Sequence, residues 1–262
     1  MTAEPPGDPS TLFSVAGKRV LVSGGSRGIG FMIARGFLDA GATVVISARK
    51  ADACRAAADE LSQFGPCQAV PADVATPKGV ATLVEAVGED LDVLVNNAGA
   101  TWGAPLDDYP LDAFDKVLGV NVKAPFALTV ALLPALRRAA SAPDPARVIT
   151  VGSIDGITVP SVDNYAYAAS KAAVHMLTRH LALRLASESI TVNAIAPGPF
   201  DSKMMAFLLD DPASRATVAG HVPLGRVGRP DDVAGTAVFL ASRAGSYLTG
   251  VVLPVDGGVS SR

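Results

Sequence analysis

Seven short runs of β-branched and apolar residues, separated by longer Ala- and Leu-rich stretches, constrain this chain more than any other feature. The runs are Lys18–Ser23, Ala42–Ser47, Gln68–Pro71, Leu91–Val95, Ala146–Val151, Ile190–Ile195 and Val251–Val255. The stretches that follow the first two, to about Ala40 and from Lys50 to Phe64, have helical composition. Apolar strands alternating with helices predict a parallel sheet buried on both faces. The expected architecture is a single doubly wound α/β domain of about seven strands over residues 15–262, with residues 1–14 as a loose tail. Ligands of such folds bind beyond the carboxyl ends of the strands. There is no internal repeat and no interdomain linker, and residues 141–145 read as a loop inside the domain.

Composition narrows the function classes. Apolar residues make up 49% and charged residues 18%, as in a packed globular protein. A net charge of −3 and the absence of a Lys/Arg stripe disfavour a nucleic-acid surface. Cys54 and Cys67 are the only cysteines, so neither a disulfide framework nor a zinc site is expected, and a reducing cytoplasm is the expected compartment. The first ten residues lack the apolar core of a signal peptide, and no apolar run is read as long enough to span a membrane. His175, His180 and His221 fit no metal-ligand spacing and read as satisfied or solvated histidines; no metal is expected.

The chemistry is concentrated in three places. Tyr167 and Lys171 lie four residues apart and share a helix face. An ammonium beside a phenol favours the phenolate, so the tyrosine is expected to titrate below its usual ~10 and to serve in acid/base work. Tyr165 has Ala169 at the equivalent spacing and lacks such a partner; it reads as packing or as a wall of a substrate pocket. Ser153 follows the fifth strand, 14 residues before Tyr167. The segment Ser23-Gly24-Gly25-Ser26-Arg27-Gly28-Ile29-Gly30 joins the first strand to the first helix, where a dinucleotide pyrophosphate can meet free backbone N–H groups. At the end of the second strand Ala48 holds the place of the acid that would bind the ribose 2′-hydroxyl of NAD, and Arg49 follows it. Arg27 and Arg49 together suit a 2′-phosphate, so the expected cofactor is NADP(H).

These motifs, with Asn96-Asn97-Ala98-Gly99, Asn121 and Pro197-Gly198, have the order and approximate spacing of the short-chain dehydrogenase/reductase family, which the chain resembles over about residues 15–258. The resemblance implies a Rossmann-type domain. It implies that Tyr167 exchanges a proton with the substrate oxygen, that Lys171 lowers the tyrosine's pKa and holds the nicotinamide ribose, that Ser153 holds the reacting oxygen, and that Asn121 supports a water linking Lys171 to solvent. Gly24, Ser26, Arg27, Gly28, Ile29, Gly30, Arg49, Asp73, Val74, Asn97, Ala98, Gly99, Pro197, Gly198, Phe200 and Ser202 would contact the cofactor, beside Tyr167 and Lys171. Ser202 and Ser23 stand where the family often has threonine. Residues of about 199–222 correspond to its variable substrate lid, with Met204, Met205, Phe207, Leu208 and Leu209 making it apolar.

Within the family the chain is similar to 3-oxoacyl thioester reductases, and particularly to the bacterial subgroup of rhamnolipid synthesis, a likeness that Thr101-Trp102-Gly103 and the insertion from Arg137 to Arg147 support. The implied function is NADPH-dependent reduction of a ketone, a 3-oxoacyl thioester, to a secondary alcohol. Two alternatives stay open: a dehydrogenase of a sugar, polyol, steroid or other cyclic alcohol, and a non-catalytic dinucleotide sensor. The resemblance places Asp144 and Glu188 near the site entrance, where acids would repel an acidic carrier protein unless Arg137, Arg138 or Arg147 compensates. Coenzyme A esters and free ketones therefore stand beside carrier-protein esters as substrates. The family's usual homotetramer or homodimer forms through the Tyr167 helix and the last strand.

Overall fold

The computed structural model describes residues 9–202, 205 and 210–261. Its seven strands are β1 (Arg19–Ser23), β2 (Thr43–Ala48), β3 (Cys67–Pro71), β4 (Val93–Asn96), β5 (Ala146–Val151), β6 (Ile190–Pro197) and β7 (Val252–Val255). They form one parallel sheet in the order β3-β2-β1-β4-β5-β6-β7. Every expected strand is present, within two residues at its start and end.

Alternation along each strand divides the core in two. Val20 and Val22 of β1 join Ile33 and Phe37 of helix α2 (Gly28–Asp39), Cys54 and Leu61 of α3 (Ala51–Leu61), and Val233 and Leu240 of α9 (Pro230–Ala241) on one face. Leu21 turns to the other face. There it meets Leu83 of α4 (Pro77–Val87), Leu128 and Leu132 of α6 (Ala124–Ala139), and Leu185 of α7 (Tyr165–Leu185). Burial of each such side chain contributes about 1.5–3 kcal/mol. The chain leaves β1 towards β2 and β3, then returns to place β4 on β1's other side. This reversal opens a crevice beyond the carboxyl ends of β1 and β4.

Two expectations are corrected. Order begins before residue 14: Pro9–Leu12 forms a helical turn (α1), and the Phe13 ring lies 6.3 Å from that of Phe239. The turn itself packs beside the short helical turn Arg243–Gly245 that follows α9. The helical path from Leu111 to Ala139, comprising α5 (Leu111–Leu118), a π-helical turn (Gly119–Lys123) and α6, is long and apolar enough to cross a membrane by length and composition. Here its apolar side packs on β4, β5, α4 and α7, which is what the hydrophobicity serves.

Candidate active site

The glycine turn is held by bonds within the chain. Gly24 has φ +69°, and a Cβ on Gly30 would collide with the Asn97 amide nitrogen and the Gly24 carbonyl. Asn97 Nδ2 donates to the carbonyls of Ser23 and Gly24, both at 3.0 Å. Ser23 Oγ accepts from the backbone N–H of Asn97 (3.0 Å) and Ala98 (3.1 Å). Thus one hydroxyl locks the end of β1 to the segment after β4, and serine suffices where the family often has threonine. The first N–H groups of α2, on Gly28, Ile29 and Gly30, have no intrahelical acceptor and face a position suited to a phosphate. Ser202 crosses the crevice, its Cβ 3.2 Å from where a Gly28 Cβ would stand.

Arg27 and Arg49 are exposed, and among the described residues neither guanidinium has a hydrogen-bond or ion-pair partner. Arg49 follows Ala48, the last residue of β2. Two free guanidinium groups and no acid at that strand end fit a phosphate-bearing ribose. Asp73 is held by its own turn, Oδ1 accepting from Ala75 N at 3.0 Å, and Val74 is buried. Gly198 lies against Asp256 and donates to the Val255 carbonyl at 3.0 Å, fixing the loop after β6. The Phe200 ring is buried against Gly228 in the core. Met205 N donates to the Ser202 carbonyl at 3.0 Å, whereas Met204, Phe207, Leu208 and Leu209 lie outside the described residues. The rest of the expected lid contains α8 (Pro212–His221), capped by Asp211, and Arg215 pairs with Asp201 across it.

Ser153, just past β5, stands by Tyr167, in the first turn of α7, where its hydroxyl favours the ionised phenol. Ser153 Oγ accepts from Asp155 N at 3.2 Å. Lys171 is buried, its Nζ donating to the Val151 carbonyl at 2.7 Å and lying 5.4 Å from the centre of the Tyr167 ring. Asn121 sits in the π-helical turn, a local widening that recurs at functional sites. Its Oδ1 accepts from Ala100 N (2.8 Å), and its Nδ2 donates to Ala100 O (2.9 Å) and Ser170 Oγ (2.9 Å). Its direct bonds therefore tie Ala100, just after the Asn96–Gly99 segment, to α7. Tyr165 donates to Asp163 and packs edge-on to Tyr109 at 5.5 Å, outside the hydroxyl pair.

The electrostatics differ from the expected pairing. Burial pushes the Tyr167 phenol up to about 12, against the pull of Ser153, and Asp155 raises it further. Burial also brings Lys171 down to about 8, against the favourable charge of Asp155. The ammonium is turned to a carbonyl, and desolvation of both groups outweighs its field. Tyr167 is thus a neutral proton donor at physiological pH, while Lys171 loses its charge above about 8. Carbonyl reduction needs that proton and benefits from that charge. Accordingly kcat/KM for the reduced cofactor, which reports the ligand-free enzyme, should be level below pH 8 and fall above it. A pH profile rising through 8 in the reductive direction would contradict this.

Two neighbours, Asp155 and Asn164, were not singled out in the sequence. Asp155 accepts from Asn164 Nδ2 at 2.9 Å; Asn164 is buried immediately before α7. His175, one turn beyond Lys171, is buried against Gly152 and Gly156, and burial lowers it to about 4, so it is neutral. Its Nε2 has no hydrogen-bond partner among the described residues, unlike the satisfied or solvated histidine expected. An acid two residues after Ser153 and an asparagine three before Tyr167 were the available signals. Asp144 and Glu188 are also corrected: they precede β5 and β6, at the end of the sheet opposite the hydroxyl pair. There they pair with Lys18 and Arg147, and with Arg137.

A doubly wound sheet with this glycine turn and a serine–tyrosine–lysine cluster defines a nucleotide-dependent oxidoreductase, and the chain belongs to the short-chain dehydrogenase/reductase family. The family described as enoyl-(acyl carrier protein) reductase (adh_short_C2) matches residues 24–260. The chain is 51% identical over 249 residues to the rhamnolipids biosynthesis 3-oxoacyl-[acyl-carrier-protein] reductase of Pseudomonas aeruginosa, covering 94% of this chain and 97% of that protein. The NADP active-site complex of Pseudomonas aeruginosa RhlG superposes with a TM-score of 0.93 at 50% identity, covering 95% of this chain and 99% of that one. The 5-keto-D-gluconate 5-reductase of Escherichia coli K12 is 36% identical over 260 residues, covering 95% of this chain and 97% of that protein.

Proposed function

We propose that this protein is an NADPH-dependent reductase that converts the ketone of a 3-oxoacyl thioester to a secondary alcohol. The observation that carries the reductase chemistry is the placing of Ser153 and Tyr167 together, with Lys171 behind them, beyond the carboxyl end of β5. The ketone oxygen would sit against both hydroxyls. Negative charge grows on that oxygen as the carbonyl is reduced, and two donors aimed at it stabilise the charge. Tyr167, held protonated by burial, passes its proton to the oxygen, and Ser153 keeps the oxygen in place. Lys171 supplies the nearby positive charge, and Asn121 fixes the loop beneath the site. When bound, the dihydronicotinamide supplies the hydride. Gly24, Gly28 and Gly30 with the α2 N-terminus would take its pyrophosphate, and Arg27 and Arg49 its 2′-phosphate.

The thioester reading rests on likeness to the Pseudomonas reductase; likeness to the keto-gluconate reductase supports the sugar alternative. A carrier protein remains a fitting form of the substrate, since Asp144 and Glu188 do not stand beside this chain's own hydroxyl pair. The exposed Phe126, Val130, Met176 and Leu183 of α6 and α7 give the apolar face that a homodimer or homotetramer would cover. Cys54 and Cys67 are both free thiols, as a reducing cytoplasm would leave them.

Oxidation of NADPH should be seen with acetoacetyl-CoA and with a longer 3-oxoacyl-CoA. NADPH binding without thioester turnover, but with turnover of a keto-sugar, steroid or cyclic ketone, would replace the substrate assignment. Binding with no turnover of any ketone would leave a dinucleotide sensor.

A further inference from the structure

Asn164 stands at the position that caps α7, yet its side chain makes no bond to the first N–H groups of that helix. An asparagine there ordinarily turns its oxygen to them. Here the side chain is used elsewhere: Nδ2 donates to Asp155 Oδ2 at 2.9 Å. Asn164 is buried and Asp155 half-buried. Residues 157–163, which run between the two, contain no helix or strand. The bond is therefore a clasp across an irregular loop. It joins the turn that follows Ser153 to the head of the helix that carries Tyr167.

Each half of the clasp is tied to one of the two hydroxyl-bearing residues. Asp155 N donates to Ser153 Oγ at 3.2 Å, in the short helical turn Ile154–Gly156. The Asn164 carbonyl accepts from Tyr167 N at 2.8 Å and Ala168 N at 3.1 Å, the backbone bonds that open α7. The turn also lies directly on the helix, since a Cβ on Gly156 would stand 2.5 Å from the Lys171 carbonyl carbon. That contact sets how closely the turn packs, and the Asp155–Asn164 bond adds a tether at the head of the helix. Asp155 brings a charge as well. It is the charged group that acts on both Tyr167 and Lys171, although it forms no ion pair with Lys171, whose ammonium donates to the Val151 carbonyl. The other titratable neighbours of Lys171 on α7, Tyr167 and His175, are neutral. Asn121 of the π-helical turn is uncharged, and no charge of α5 or β6, which also pack on α7, acts on Lys171.

Resting on the reductase reading above, we propose that Asp155, clasped by Asn164, is a positioning residue of the reaction: it holds the Ser153 hydroxyl in place beside Tyr167 and sets the charge around the proton donor. Neither Asp155 nor Asn164 need touch the substrate for this. The bond fixes where the two hydroxyls stand relative to each other, and the carboxylate favours the ammonium of Lys171.

Four variants test it: Asp155→Ala, Asn164→Ala, the two together, and Asp155→Asn, which keeps an acceptor oxygen for Asn164 and loses the charge. In the ligand-free protein each alanine should lower Tm by about 2–4 °C, and the double variant should fall scarcely further, as for two partners of one bond. With acetoacetyl-CoA, or whichever ketone the wild type reduces, each alanine variant should lower kcat by about 10- to 100-fold, the effect of misplacing a reacting group by about 1 Å. NADPH affinity by fluorescence titration should be kept. Asp155→Asn should lose less of kcat than Asp155→Ala. Its kcat/KM for NADPH should begin to fall at lower pH than the wild type's value of about 8, because Lys171 loses the charge that favours its ammonium. A purely structural role would lower that profile without moving it. Additive losses of Tm would refute the clasp. A kcat close to that of the wild type in both alanine variants, or an unmoved fall in Asp155→Asn, would overturn the positioning role. If the wild type reduces no ketone, the function proposed above fails by itself, and the Tm cycle alone decides the clasp.

Discussion

Tyr167→Phe should lower kcat for ketone reduction by about 10²- to 10⁴-fold, the range associated with a single general acid. The substitution removes one oxygen and keeps the ring that packs in the first turn of α7. NADPH affinity, measured by fluorescence titration, should be retained, because the glycine turn, Asn97 and the two arginines are untouched. Ser153→Ala should cost about 10²- to 10³-fold by removing one of two donors to the developing oxyanion. The double variant should be scarcely worse than Tyr167→Phe, since groups that act on one oxygen do not add. Retention of a tenth or more of the activity in Tyr167→Phe would show that another group delivers the proton.

Replacing both Arg27 and Arg49 with alanine should raise KM for NADPH by on the order of 10²-fold while leaving KM for NADH nearly unchanged. A hydrogen bond to a charged group contributes about 1.5–3 kcal/mol, and the exposure of both side chains argues for the lower end. Adding Ala48→Asp should then turn preference towards NADH. A carboxylate at the end of β2 can bond the ribose 2′-hydroxyl, and it repels a 2′-phosphate. Equal changes for the two cofactors would remove Arg27 and Arg49 from the phosphate site. Because both guanidinium groups lack internal partners, the fold itself should be unaffected.

The sheet was legible because burial on both faces makes each strand a nearly unbroken apolar run. Val20-Leu21-Val22 and Val44-Val45-Ile46 carry no polar residue that would confuse the period. The elements that carry the expected site residues were legible too: Ser153 follows a strand and Tyr167 lies in the first turn of a helix. What escaped depends on depth and direction. Four-residue spacing puts an ammonium near a phenol but does not say that both are desolvated, or that Lys171 points to the Val151 carbonyl, so the sign of the Tyr167 shift was missed. The Asp155–Asn164 pair joins residues nine apart across a loop with no period of its own. The burial of the Phe200 ring was likewise not visible in the loop's sequence.

The widened turn at Gly119–Lys123 has a consequence for how this family can vary. One residue of an α-helix spans about 100° of rotation, and a π turn stores one residue more than its neighbours. Upstream, the helix is keyed to the crevice through Asn121; downstream, Leu128, Leu132 and Leu136 are keyed to the sheet. Loss of a single residue at that turn would either swing Asn121 away from Ala100 or exchange the leucines for the exposed Phe126 and Val130. Insertions and deletions are therefore barred from the middle of this helix. The loop of residues 141–144 just beyond its end can change in length freely, provided the Asp144 contacts are kept.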